Sequence, residues 1–95
     1  MPYADRYSEQ LTDILKKLKQ RDTAQFEIIR KKIQEILSVL ELNPDHYKPL
    51  SHSMKGFKRV HIYKSFVLIF KVDAQNKIIW FEDYDHHDNM YRKYH

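Results

Sequence analysis

The chain contains no cysteine and only one glycine among its 95 residues. The absence of cysteine excludes disulfide bonds, thiolate nucleophiles and thiolate metal sites. No apolar run approaches the roughly 20 residues that a membrane-spanning helix needs, and the first residues lack the apolar stretch of a signal peptide. We therefore expect a cytoplasmic protein with no membrane partner.

The length and composition predict one folded domain. A chain of 95 residues has room for one hydrophobic core, which buries roughly 60–65% of the surface that the unfolded chain exposes. With 42% hydrophobic and 14% aromatic residues, the composition is that of a globular protein rather than a disordered one. We expect residues 1–95 to form a single domain.

Acidic residues are missing from the middle of the chain. Residues 48–71 contain no Asp or Glu, but they carry six cations: Lys48, Lys55, Lys58, Arg59, Lys64 and Lys71. Residues 1–43, by contrast, are nearly balanced in charge, so the net charge of +4 is concentrated after them. Concentrated positive charge attracts polyanions, which indicates RNA, DNA or an acidic protein as the partner. A solvated face without a partner is the alternative.

Helical periodicity dominates the first half of the chain. Apolar residues recur at helical spacing from Ser8 to about Gln20, where Ser8 is placed as an N-cap. A second stripe follows Asp22-Thr23 and ends at Asn43-Pro44, with Gln25 placed to complete a capping box with Asp22. Since the link between the two helices is short, they should form an antiparallel hairpin with one shared apolar face.

The second half of the chain has the period of strands. Alternation over 57–63 places Val60 and Ile62 on one face of a strand and Arg59 and His61 on the other. Apolar runs over 66–72 and 77–83 predict two further strands joined by a hairpin turn at 73–76, and 1–7 could add a short fourth strand. The predicted fold class is α+β, with an N-terminal helical hairpin packed on one face of a small antiparallel sheet of three or four strands.

This alternation predicts a site on the face of the sheet that the helices leave open. That face carries Arg59 and His61, and the chain beyond the last strand brings His86, His87 and Tyr91 to the end of the sheet. RNA cleavage without a metal needs a base for the 2′-hydroxyl, an acid for the departing 5′-oxygen, and cations for the phosphorane. Histidine can fill either proton role, because its ordinary pKa is near 6.5.

Other interpretations of the same histidines remain open. His61 on a strand could be a surface or packed histidine without a chemical role. His86 and His87, between Asp85 and Asp88, could bind a metal ion, because imidazole and carboxylate suit zinc, manganese or iron. Adjacent histidines seldom both ligate one ion, and no helical i, i+4 histidine pair is present, so we expect neither a metal nor another cofactor.

Three segments of the chain resemble a known family. They are 55–62 (KGFKRVHI), 65–71 (SFVLIFK) and 84–91 (YDHHDNMY). Together they resemble the YafQ-type branch of the RelE/ParE superfamily, the toxins of type II toxin–antitoxin systems. The likeness covers about residues 8–91, and its most specific part is the Lys-Gly-aromatic-x-x-x-His-Ile segment. It implies a RelE-like domain.

The resemblance also assigns roles to particular positions. His87 matches the C-terminal catalytic histidine of the YafQ-type toxins, Tyr91 matches the aromatic residue four positions on, and His61 matches the strand histidine. Lys48 stands where the family has an upstream catalytic histidine, and Ser65 stands where it has an acidic residue. An ordinary lysine, with a pKa near 10.4, is a poor general base.

The resemblance implies an mRNA interferase, which cuts mRNA in the ribosomal A site and is neutralised by an acidic antitoxin. On this interpretation His87, His61 and Tyr91 are catalytic, and the RNA-binding cations are Lys48, Lys55, Lys58, Arg59 and Lys64. Two alternatives stay open: a toxin of the same fold with a non-RNA target, as ParE-type members have in DNA gyrase, and a catalytically weak module that only binds an acidic antitoxin.

Overall fold

The computed structural model describes residues 3–47 and 56–94. In these ranges the chain forms four strands and three helices. Their order is β1 (Ala4–Tyr7), α1 (Glu9–Arg21), α2 (Thr23–Leu42), β2 (Phe57–Ile62), β3 (Phe66–Asp73), β4 (Ile78–His86) and α3 (His87–Tyr94). No helix within these ranges is both long and apolar enough to cross a bilayer.

The two predicted helices are confirmed, and their caps explain where they begin. The Ser8 hydroxyl accepts a hydrogen bond from the Leu11 N–H at 3.1 Å, and the Asp22 carboxylate accepts one from the Gln25 N–H at 3.1 Å. The predicted capping box does not close, because the Gln25 side chain turns into the core. There its Nε2 donates to the Tyr84 hydroxyl at 2.6 Å.

The sheet has the order β1-β4-β3-β2. The pairs β2–β3 and β3–β4 are antiparallel, as the sequence predicted, whereas β1 pairs with β4 in parallel. The sheet is therefore mixed, and the expected antiparallel pattern holds for three of its four strands. The α1–α2 hairpin and two strands separate β1 from β4 in the chain, and such a long connection permits parallel pairing, which a hairpin turn does not.

The hydrophobic core lies between the helical hairpin and one face of the sheet. The α2 stripe of Ile29, Ile33, Ile36 and Leu40 is buried there. It belongs to the same cluster as inward-facing strand residues, which are Ile62, Leu68, Phe70, Ile79 and Phe81. The predicted α+β architecture, a helical hairpin on one face of a small sheet, is confirmed.

The end of the chain differs from the prediction. Strand β4 continues past Asp83 to His86, with a register shift opposite Ile69 and Phe70, and a third helix follows it at once. Met90 of α3 is buried with Val67 and Ile69 in a second small cluster on the face opposite the hairpin. This face was expected to be bare, but α3 covers part of it.

Candidate active site

Two imidazoles face each other at the end of the sheet. The rings of His61 and His87 lie nearly parallel, with an interplanar angle of 23° and centroids 5.9 Å apart. Both side chains are exposed to solvent. The structure therefore brings together, in contact with water, two of the three residues predicted to be catalytic.

The strand register produces this arrangement. His61 of β2 lies opposite Val67 of β3, and Val67 lies opposite Asp85 of β4, two residues before His87. The His87 N–H donates to the Ser65 carbonyl at 2.7 Å, which ties the start of α3 to the β2–β3 turn. Ser65, at the position where the resembled family has an acid, thus holds His87 through its backbone.

A carboxylate does lie near His87, but it comes from the next residue. Asp88 Oδ1 is 3.7 Å from His87 Nδ1, and the Asp88 side chain is highly exposed. An exposed pair at this distance contributes little energy. Asp88 can influence the orientation of the ring without fixing it.

A groove continues from His61 along β2. It has a volume of about 340 Å³, and its lining residues are His46, Tyr47, Arg59, Val60 and His61. Arg59 and His61 share the outer face of β2, as the alternation predicted. Among the described residues Arg59 forms no ion pair, so its guanidinium is not neutralised by a neighbouring carboxylate. The groove therefore combines imidazoles with a cation.

Helix α3 is held against the sheet by one ammonium and two carboxylates. Lys93 Nζ lies 3.1 Å from Asp83 Oδ2 and 2.9 Å from Asp85 Oδ2. Burial alone would raise the pKa of Asp85, but hydrogen bonds from Lys93, Asn89 and the His86 N–H outweigh it and lower the pKa. Burial alone would lower the pKa of Lys93, but its hydrogen bonds to Asp85 and Asp83 and the negative charges of these carboxylates raise it.

Tyr91 lies one turn after His87 on α3, which places both on the same side of the helix. Its side chain is 58% exposed. Exposed aromatic rings can stack on nucleobases. The structure thus places Tyr91 on the same helix face as His87, and its catalytic role stays a prediction.

His86 has a structural position instead. Its Nδ1 accepts a hydrogen bond from the Asp88 N–H at 3.2 Å, and its ring packs edge-on against Phe66 with centroids 5.6 Å apart. This bond satisfies one of the N–H groups at the start of α3. His86 therefore caps the helix that begins with His87.

The predicted RNA-binding cations do not all lie together. Lys64 is exposed in the β2–β3 turn, close in sequence to the Ser65 carbonyl that holds His87. Lys58 lies on the helix-covered face of β2, and its Nζ donates to the Tyr47 carbonyl at 3.0 Å. Lys48 and Lys55 fall outside the described residues. The structure thus places Arg59, but not Lys58, on the side of the histidine pair. The Lys64 Nζ lies over the Tyr63 ring, 5.6 Å from its centroid.

His46 is the residue that the sequence pattern did not single out. It follows the end of α2 in an irregular segment, where neither helical nor strand periodicity applies. A signal was nevertheless present, because the segment is followed directly by the acid-free stretch 48–71.

Across residues 3–47 and 56–94, no cluster of three or more His, Cys, Asp or Glu side chains is arranged to hold a metal ion.

The fold is that of small bacterial toxins. The YafQ toxin in the Escherichia coli DinJ–YafQ toxin–antitoxin complex superposes with a TM-score of 0.73 and 22% identity, over 96% of this chain and 99% of that one. The free RelE toxin of E. coli superposes with a TM-score of 0.72 and 15% identity, over 99% of this chain and 95% of that one. At these identities the likeness shows the fold.

Sequence comparison then shows the family. The family described as "ParE toxin of type II toxin-antitoxin system, parDE" matches residues 3–91. RelE4 of Methanocaldococcus jannaschii is 53% identical over 83 residues, which cover 87% of this chain and 84% of that protein. The chain belongs to the ParE toxin family of type II toxin–antitoxin systems, and the resemblance to the RelE/ParE superfamily is confirmed.

Proposed function

We propose that this toxin is a metal-independent endoribonuclease that cuts mRNA on the ribosome. The observation that carries the proposal is the exposed pair of His61 and His87, with ring centroids 5.9 Å apart, beside the groove that Arg59 lines. Imidazoles can move protons near neutral pH, and a guanidinium can bind the phosphate and stabilise charge on the phosphorane.

The chemistry needs imidazoles for two proton transfers and a cation for the phosphate. One imidazole takes the proton of the 2′-hydroxyl while the O2′–P bond forms, and the P–O5′ bond breaks as the second imidazole protonates the 5′-oxygen. The products are a 2′,3′-cyclic phosphate and a 5′-hydroxyl.

The remaining contacts come from the residues around the pair. Arg59 and Lys64 bind phosphates, and Tyr91 stacks on a base next to the cut. The predicted RNA-binding residues Lys48 and Lys55 fall outside the described residues. Lys58 is left out of the RNA contacts, because its ammonium already binds the Tyr47 carbonyl on the other face of β2.

The partner that neutralises the toxin is an acidic antitoxin. The net charge of +4 and the acid-free stretch 48–71 favour a partner of the opposite charge. The complex in which E. coli YafQ was solved contains an antitoxin, which supports the same assembly for this chain. An adjacent gene for a short acidic protein, whose product copurifies with the toxin, would identify the partner.

A second candidate function is toxicity through a target other than RNA. It is favoured by the family match, since that family is described by its ParE toxins rather than by RelE. Such a toxin would stop growth without producing new RNA ends. The catalytically weak antitoxin-binding module would produce neither effect.

The deciding experiment uses His87→Ala with wild type and Asp88→Ala as a neighbouring control. Growth arrest is measured on induction, and new 5′-hydroxyl ends are mapped on mRNA bound to translating ribosomes. We expect wild type and Asp88→Ala to arrest growth and cut, and His87→Ala to lose at least about 100-fold in cutting. Unchanged cutting by a folded His87→Ala protein would refute the proposal, and arrest without new ends would favour the second candidate.

A further inference from the structure

A third imidazole lies in the groove beside His61. His46 lines it together with Tyr47, Arg59 and His61, although it is 15 residues before His61 in the chain. We infer that His46 is a further catalytic residue, which accepts the proton of the 2′-hydroxyl and leaves protonation of the 5′-oxygen to the His61–His87 pair. The inference rests on the proposed function, because it assigns a role in that reaction.

The backbone before His46 forms a defined turn. Helix α2 ends at Leu42, and Pro44 prevents its continuation. The Asp45 N–H donates to Asn43 Oδ1 at 3.2 Å, and the His46 N–H donates to the Asn43 carbonyl at 3.2 Å. These bonds direct the chain back over the sheet at β2, so the position of His46 is set by the sequence Asn43-Pro44.

Tyr47 fixes this turn to the core. Its ring packs edge-on against the buried Phe70, with centroids 5.4 Å apart, and its carbonyl accepts the hydrogen bond from Lys58. The His46 ring packs edge-on against the Tyr47 ring, with centroids 4.8 Å apart. His46 is thus exposed to solvent but supported from behind by an anchored aromatic ring, as a side chain needs to be to meet a substrate in one orientation.

The location of His46 suits proton transfer. In-line cleavage puts the attacking and leaving oxygens on opposite sides of the phosphorus, so the two proton-transfer groups must approach from different sides. His61 faces His87 and also lines the groove with His46 and Arg59. A phosphate bound at Arg59 would therefore share the groove with the His46 imidazole and with one member of the histidine pair.

This position also accounts for a departure from the resembled family. In the resembled family an upstream catalytic histidine stands at the position of Lys48, whose amine would be a poor base. His46, two residues earlier, supplies an imidazole from the same segment. Lys48 and His46 are therefore rival candidates for one role, and a pair of substitutions separates them.

The test compares His46→Ala, His46→Gln and Lys48→Ala with wild type, by single-turnover cutting of mRNA on ribosomes. We expect both His46 variants to lose about 10²–10⁴-fold in the rate at saturating toxin with little change in the half-saturating concentration. Added imidazole should restore part of the rate to His46→Ala, whose vacated site can admit it. The cutting rate of Lys48→Ala should stay within about tenfold of that of wild type. Any loss should appear as weaker RNA binding, as expected when one phosphate contact is removed.

Each outcome supports or overturns the inference. A His46→Gln protein that cuts within about threefold of wild type overturns it, as does a slow His46→Ala protein that imidazole does not rescue, since a structural role predicts that result. Thermal unfolding identifies any variant that fails to fold. If His46→Ala does not fold, the cutting rate of His46→Gln, whose side chain still fills the groove, tests the inference. If wild type does not cut at all, the proposed function fails and the inference fails with it, whereas cutting that is independent of His46 refutes the inference alone.

Discussion

The ammonium of Lys93, in the last turn of α3, lies 3.1 Å from the carboxylate of Asp83, whose side chain is fully buried in the sheet. A buried carboxylate is costly to leave without a counter-charge. The contact therefore ties the end of α3 to β4, while the hydrogen bond from the His87 N–H to the Ser65 carbonyl ties its start. The orientation of His87 depends on both ends of this short helix.

Replacing Lys93 with methionine keeps the aliphatic stem but removes the ammonium that pairs with the buried Asp83 carboxylate, so it should destabilise the protein. Breaking a fully buried pair costs 3–5 kcal/mol, and since Lys93 is 44% exposed we expect about 2 kcal/mol in the free energy of unfolding. Urea denaturation measures this loss. Arg92→Met, one residue earlier on the same helix, is the control, and equal losses in the two variants would contradict the tether.

The same tether should limit the pH range of stability. The pKa of Asp85 is lowered from its ordinary 3.8, so its contribution is present above about pH 4 and is lost as the pH falls through the folded-state pKa. The pKa of Lys93 is raised from 10.5, so its contribution is present below that value and is lost as the pH rises through its folded-state pKa. Unfolding curves in urea from pH 2 to 11 should therefore show two losses of stability, one at low pH and one at high pH.

Asp85→Asn provides the comparison for the acid limb. The variant cannot lose a proton-linked contribution at this position, so its free energy of unfolding should fall less steeply below about pH 4 than that of wild type. If the free energy of unfolding falls equally steeply below about pH 4 in the two proteins, other carboxylates control acid unfolding.

Local patterns in the sequence were sufficient for the helical hairpin and for β2 and β3. Ser8 and Asp22 act as caps as predicted, and the apolar alternation placed Val60 and Ile62 inside. The same alternation predicted that Arg59 and His61 share the outer face. These elements were predictable because each is specified within its own segment, by capping residues and by the period of its apolar residues.

Other features depend on contacts that are distant in sequence. Helix α3 has a mostly polar sequence and packs through Met90 and the Lys93 ion pairs, whose partners lie on the sheet. Strand β1 is defined by its parallel pairing with β4. His46 reaches the groove through an Asn43-Pro44 turn with no periodicity. Tertiary contacts decide all three, and local propensity does not report them.

Lys64 provides a test that separates stability from RNA binding. It has a φ of +56°, a left-handed conformation that costs a residue with a Cβ about 1 kcal/mol. Lys64→Gly should therefore raise the free energy of unfolding by about 0.5–1 kcal/mol, yet weaken binding to single-stranded RNA by removing a cation. Lys64→Ala removes the same cation but keeps the Cβ, so it should weaken binding without the gain in stability. A stability gain in both variants would rule out the backbone explanation.

Arg59 should determine part of the salt dependence of RNA binding. Each phosphate contact on a single strand contributes about 0.7 to the slope of log affinity against log salt concentration. Arg59→Ala should therefore lower the slope by about 0.7, measured by fluorescence anisotropy with an RNA that carries 2′-deoxyribose at the cleavage position. Arg30→Ala is the matched control, because Arg30 lies on α2 in an exposed ion pair with Glu27, away from the groove. A slope that does not change in Arg59→Ala, or that falls equally in Arg30→Ala, would show that the Arg59 guanidinium does not bind the RNA backbone.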